Sequence, residues 1–159
     1  MNPFEKNNQE LLQLISEWEE ILLNSSARVI SQKRNKQNRT VKQIVGHMVD
    51  SASNNIHRIV HLQYQESPLV FPNYATNGNN DRWIAIQNYQ DEHWFNLVKL
   101  WKYTHLHFVH VVKNINPDKL GNEWLASETE SVSLQEMVID FSRHLKLHIS
   151  EIEELLQQK

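Results

Sequence analysis

Cysteine is absent from this chain, and glycine and proline are scarce, at three and four residues among 159. Without thiols there can be no disulfides, no thiolate zinc site and no cysteine nucleophile. With so little Gly and Pro, long stretches run free of both, which favours helices. No apolar run approaches the ~20 residues of a membrane span. The first residues, "MNPFEKNNQE", lack the apolar region of a signal peptide, so a cytoplasmic protein with no membrane partner is expected. Concentrated positive charge is missing too. The net charge is −3, and Lys and Arg are scattered apart from Lys33, Arg34, Lys36 and Arg39. A duplex-binding surface needs a basic stripe, so no nucleic-acid partner is expected. What is there, 40% hydrophobic and 22% charged residues, is ordinary for a soluble globular protein. The length suits one domain over 1–159, large enough to bury a core without staples.

Four long segments carry helical periodicity. The first runs from about Phe4 to Asn24, with Leu11, Leu12, Ile15, Trp18, Ile21 and Leu22 at three- and four-residue steps. The second opens at Thr40, with Gln43 three residues on as a capping box, and ends near Gln65 before Ser67-Pro68. The third spans about Tyr89 to Ile115, and Asn116-Pro117 ends it. The fourth starts at Ser133, where Glu136 completes a second capping box, and carries Met137, Val138, Phe141, Leu145, Ile149, Ile152 and Leu156. Four amphipathic helices of this length predict an all-α four-helix bundle. The connection from Ser67 to about Asn88, "SPLVFPNYATNGNNDRWIAIQN", lacks a strong helical pattern and is long enough to cross the bundle. Helices two and three therefore need not be antiparallel. Loops of that length are usually functional, and segments 25–39 and 116–132 are long as well. Together they leave room for a lid over one bundle end.

The stretch "FSRHLKLHIS" at 141–150 holds the chemistry. With Leu134 at zero and 100° per residue, the apolar residues of the fourth helix centre near 10°. His148 then falls at about 320° and His144 at about 280°, inside and on the edge of the buried stripe. Residues at i and i+4 stack with Cβ atoms about 6 Å apart. Two imidazoles so placed can converge on one ion at ~2.1 Å each. Core histidines hydrogen-bonded to a neighbouring helix are the other reading of the pair. His47 lies on a flank of the second helix, in a stripe of short hydrogen-bonding groups with Ser51, Asn54, Asn55 and Arg58. A groove between helices two and four could present it to the pair. His57 and His61 share the same spacing but lie on a solvated face and are rejected as ligands, and Asp50 falls near that face. His105, among Trp101 and Phe108, reads as a packed core histidine, and His93, His107 and His110 look peripheral. Asp140, one turn before His144, could accept its second imidazole N–H or be a surface carboxylate. Asn55 and Arg58 could bind an anionic substrate, although Arg58 could equally pair with a surface carboxylate. Tyr74, Trp83 and Trp124 could wall a pocket or anchor their loops.

Three stretches, "TVKQIVGHMVDSASNNIHRIV" at 40–60, "NYQDEHWFNLVKLWKY" at 88–103 and "LQEMVIDFSRHLKLHISEIEEL" at 134–155, resemble the DinB-like superfamily of bacterial four-helix proteins. That superfamily includes the YfiT-like metal-dependent hydrolases. "GHMVDS" at 46–51 followed by "HLKLH" at 144–148 is the specific part. The resemblance implies an up-down-down-up bundle and a metal site of His47, His144 and His148. It also implies a divalent ion, Ni or Zn by ligand type, and a small-molecule substrate. Characterised relatives resemble thiol-dependent transferases and isomerases acting with a low-molecular-weight thiol. Thiol S-transfer is therefore the leading expectation, with metal-dependent hydrolysis next. A non-catalytic metal-binding stress-response protein and a purely structural bundle are the other readings. Homodimers are common among such relatives. One departure is Arg39, where relatives often carry Trp before the Ser or Thr that starts helix two; it touches packing there and not the ligands.

Overall fold

The computed structural model describes residues 3–158. Four long helices dominate it: α1 (Glu5–Leu23), α3 (Val41–Tyr64), α5 (Trp94–Lys113) and α6 (Leu134–Gln157). Both expected capping boxes are formed, Thr40 with Gln43 at the start of α3 and Ser133 with Glu136 at the start of α6. Each satisfies two of the N–H groups that a helix start leaves without partners. α5 packs against α1 and α3, and α6 closes the ring between α3 and α1. The core runs down the axis through Ile15, Leu22, Ile44, Met48, Leu97, Trp101, Phe108, Leu134 and Leu145, all nearly inaccessible to solvent.

Hydrogen bonds at the helix ends give the directions. Thr40 and Gln90 meet at one end, and Gln63 meets the Asn116 backbone at the other, so α3 and α5 run parallel. Trp94 Nε1 donates to the carbonyl of Leu22, which sets α1 antiparallel to α5. The Leu134 and Gln135 backbone donates to the loop that follows α5, so α6 runs antiparallel to α5 as well. The bundle is up-down-down-up.

Three smaller pieces have no counterpart in the helical periodicity. α2 (Ala27–Gln32) lies in the first connection. α4 (Asn79–Gln87) lies in the crossover that had read as patternless; only Ile84 of it is buried, so its amphipathic signal is weak. A hairpin of β1 (Glu123–Leu125) and β2 (Ser131–Ser133) leads into α6, with Trp124 opposite Val132. Leu69 of the crossover pairs its backbone with the hairpin. Crossover and hairpin thus form one cover over the seam between α3 and α6.

That cover changes the surroundings of α3. Asp50, placed near a solvated face by its helical angle, is 2% exposed. It accepts hydrogen bonds from Tyr89 Oη at 2.6 Å and Gln87 Nε2 at 2.7 Å. The Tyr89 ring lies flat on the α3 backbone one turn earlier, at Gly46. A Cβ there would sit 2.1 Å from Tyr89 Cδ2 and 2.3 Å from Cγ, both atoms of a buried rigid ring. Helix propensity favours Ala over Gly by about 1 kcal/mol, whereas overpacking of this kind costs roughly 1–3 kcal/mol or more. Overlap wins here, because displacing Tyr89 also strips a donor from Asp50. Gly46→Ala should lose about 2–3 kcal/mol in urea unfolding; unchanged or increased stability would show that Tyr89 is not seated on α3.

Candidate metal centre

The α3–α6 seam brings His47, His144 and His148 together. One ligand nitrogen from each lies within 4.8 Å of the other two. The Nε2 atoms of His144 and His148 are 3.0 Å apart. The His47 ring stands edge-on to both, with centroids 5.5 and 4.6 Å away. His47 and His148 are buried and His144 half-buried.

Each ring has its other nitrogen engaged. Tyr74 Oη lies 2.5 Å from His47 Nδ1 and donates to the His47 carbonyl at 3.4 Å. With the imidazole proton on Nδ1, that nitrogen donates to Tyr74 Oη and Nε2 keeps the lone pair. His148 Nδ1 donates to Glu151 Oε2 at 2.8 Å, which leaves its Nε2 free to accept. His144 Nδ1 lies 3.4 Å from Ser51 Oγ. In this state the His144 proton sits on Nε2 and points at His148. With the proton moved to Nδ1, Ser51 accepts it and a third lone pair faces the cluster.

Electrostatics keep these rings neutral. Burial pulls His47 down to about 2 and His144 to about 4, with the nearby His148 adding to both shifts. Burial also lowers His148, against the pull of Glu151 in the other direction. Neutral imidazoles with oriented second nitrogens are what a metal ion requires of its ligands. The donor set fits a divalent ion, and hard oxygen-seeking cations fit it poorly.

The centre opens on a cavity of about 610 Å³, within the usual range for small-molecule sites. Its walls include Arg58, Tyr74, Trp124, Met137 and Phe141 beside the histidines. Asn55 lines it too, although its Nδ2 donates to the Ser51 carbonyl at 2.8 Å. Asp140 is at the rim but is not aligned on His144: it accepts from Arg143 Nε at 2.6 Å, and both side chains are exposed. Arg58 has no carboxylate partner among the described residues; it stacks on Trp124. Trp83 is outside the cavity, edge-on to Tyr74. His57 is exposed and His61 bonds Tyr64, away from the cluster. His105 is fully packed, with Nδ1 2.7 Å from the Trp101 carbonyl. Two partners escaped the sequence reading. Glu151 had a usable signal, three residues after His148 and so over the same face. Tyr74, set down as a wall, gave none for its bond to His47.

No family model matches the chain, and no curated protein does. Solved structures do match in shape. One is YfiT from Bacillus subtilis, described as a probable metal-dependent hydrolase with an unusual four-helix bundle topology. It has a TM-score of 0.76 at 17% identity, over 95% of this chain and 86% of that one. Another is the mycothiol-dependent maleylpyruvate isomerase, with a TM-score of 0.76 at 15% identity over 94% of this chain. A mutant of that isomerase matches equally well at 14% identity. This chain spans 60% of the isomerase. At these identities the likeness establishes a shared fold, the four-helix bundle of up-down-down-up topology. No helix among the described residues is long and apolar enough to cross a membrane.

Proposed function

We propose that the chain is a divalent-metal-dependent enzyme that transfers a low-molecular-weight thiol to, or rearranges through it, an electrophilic small molecule. The observation that carries this is the convergence of three neutral imidazoles at the edge of the cavity, each with its second nitrogen engaged. His47, His144 and His148 would hold the ion, Zn or Ni. Three protein ligands leave positions open toward the cavity, the arrangement of catalytic rather than structural sites. Such an ion lowers the pKa of a thiol or water bound to it and polarises a carbonyl.

The surroundings favour the thiol over water. A free thiol ionises near 8.5 and bulk water near 15.7, so a thiol needs the smaller shift to ionise on the ion. Two of the cavity's carboxylates are committed, Glu151 to His148 and Asp140 to Arg143. Hydrolysis is the second reading, supported by the description of YfiT. In either case Tyr74 and Glu151 hold the rings in orientation, while Trp124, Met137 and Phe141 supply apolar wall to the cavity. The test is metal content of untagged protein by inductively coupled plasma mass spectrometry, before and after incubation with Zn²⁺ and Ni²⁺, followed by a screen of thiols with electrophiles. About one ion per chain is expected, and thiol consumption dependent on it. No uptake of either metal would sink the proposal. Ester or amide cleavage without thiol consumption would replace it with the hydrolytic reading.

A further inference from the structure

Arg58 is 8% exposed, yet it forms no ion pair among the described residues. Its Nε donates to the Asn54 carbonyl at 3.4 Å, its Cζ lies 4.0 Å from the centroid of Trp124, and it makes no other polar contact among the described residues. Burial lowers its pKa only to about 10, so it remains a cation at neutral pH. Its two Nη groups are not sealed from solvent, so the charge is open to the cavity and has no protein partner among the described residues to neutralise it. This one lines the cavity that holds the three histidines. Trp124 is itself fixed by the hairpin and by its Nε1 donating to the Phe71 carbonyl at 3.1 Å, so the guanidinium plane is fixed with it.

The other charges on the cavity wall decide what kind of anion fits. Arg39 is neutralised by Asp81 at 2.7 Å. Glu130, Glu136 and Glu151 contribute negative charge, whereas Asp140 is paired with Arg143. A multiply charged phosphate would meet one free cation among three carboxylates that lack a cationic partner, whereas a single carboxylate matches one planar guanidinium fork. We infer that Arg58, backed by Trp124, is the recognition point for a carboxylate on the small molecule that enters this cavity. This rests on the cavity being the substrate site of the proposed enzyme. Arg58 follows His47 by eleven residues, about three turns and roughly 16 Å along α3 on the same face. Helical side chains lean toward the N-terminus, which carries the guanidinium back toward His47. The carboxylate therefore sits several bonds from the reacting atom.

The test uses ¹⁵N-labelled, EDTA-treated protein titrated with hexanoate, hexanamide and inorganic phosphate. The Arg58 Nε–H and Trp124 indole N–H signals report binding. Hexanoate should shift both saturably, with hexanamide and phosphate at least about tenfold weaker. Arg58→Gln should weaken hexanoate roughly 10- to 100-fold, read at Trp124. Arg58→Lys, which keeps the charge without the fork, should retain part of the affinity. Equal binding of hexanoate and hexanamide, tighter binding of phosphate, or hexanoate affinity unaffected by Arg58→Gln would each overturn the inference. The same titration on zinc-treated protein, with metal content measured separately, distinguishes the two proposals. Hexanoate binding that requires zinc and ignores Arg58 overturns this one alone. Arg58-dependent binding in a chain that takes up no zinc supports it and sinks only the metal reading.

Discussion

His144→Ala should leave a folded protein that no longer gains stability from zinc. The wild-type chain, with free zinc at about 1,000 times its dissociation constant, should gain about 4 kcal/mol. For a domain of this size that is a rise of roughly 8–16 °C in Tm. His144 is the cleanest of the three ligands to remove. It is half-buried, and its contacts are the long one to Ser51 and the one to His148. Removing His148 would instead leave Glu151 without its imidazole, and removing His47 would leave the buried Tyr74 hydroxyl only its long bond to the backbone carbonyl at position 47. The metal-free variant should therefore melt within a few degrees of the metal-free wild type, while two remaining imidazoles hold an ion far more weakly than three. Differential scanning calorimetry with and without Zn²⁺ measures both quantities. A zinc-dependent rise that survives in His144→Ala would remove His144 from the site. A collapse of the metal-free variant would make it a core histidine.

What the sequence disclosed and what it hid divide along physical lines. The starts of α3 and α6 were legible because a capping box is a local device, written in residues three apart at Thr40 and Gln43 and at Ser133 and Glu136. The His144–His148 pair was legible because helical geometry fixes the i, i+4 distance, and its convergence with His47 followed from the resemblance. The burial of Asp50 was not, because helical angle describes only the faces that helices cover. Here the crossover lays Tyr89 and Gln87 over a face that reads as solvated. For the same reason Gly46 gave no sign of its role: its partner is 43 residues away and joined to it by no periodicity. α4 stayed hidden because a helix with one buried residue carries almost no pattern. Tyr74 and Trp124 were placed near the pocket as loop aromatics, but their hydrogen bond and cation–π partners depend on how the crossover and hairpin fold together. What the sequence hid thus lies mostly in the cover, whereas the three histidines themselves stand on α3 and α6 of the bundle.

Buried neutral histidines also make the metal-free protein acid-sensitive, by an amount comparable to its whole stability. Burial lowers His47 to about 2, and His105 and His144 to about 4. In the unfolded chain each titrates near 6.5. Below that pH the unfolded state binds protons that the folded state refuses, so stability falls as pH drops from 6.5 toward the folded values. At pH 5 each of the three contributes a loss of about 2 kcal/mol, on the order of 5 kcal/mol together once the proximity of His47 and His144 is allowed for. A domain of this kind has roughly 5–15 kcal/mol in all. His105 shows the cause most simply. Its Nδ1–H donates to the Trp101 carbonyl, and its Nε2 has no partner among the described residues. A second proton would create a buried cation with nothing to accept its hydrogen bond. Urea unfolding of EDTA-treated protein should therefore show a free energy that is flat above pH 7 and falls steeply between pH 6.5 and 5. His105→Leu should make that fall shallower by roughly a quarter to a third, since one of these three groups no longer titrates while His148, also lowered by burial, still does. A free energy that stays level to pH 5 would mean that these rings accept protons in the folded state. The neutral, lone-pair-bearing cluster on which metal binding depends would then not be the resting state of the site.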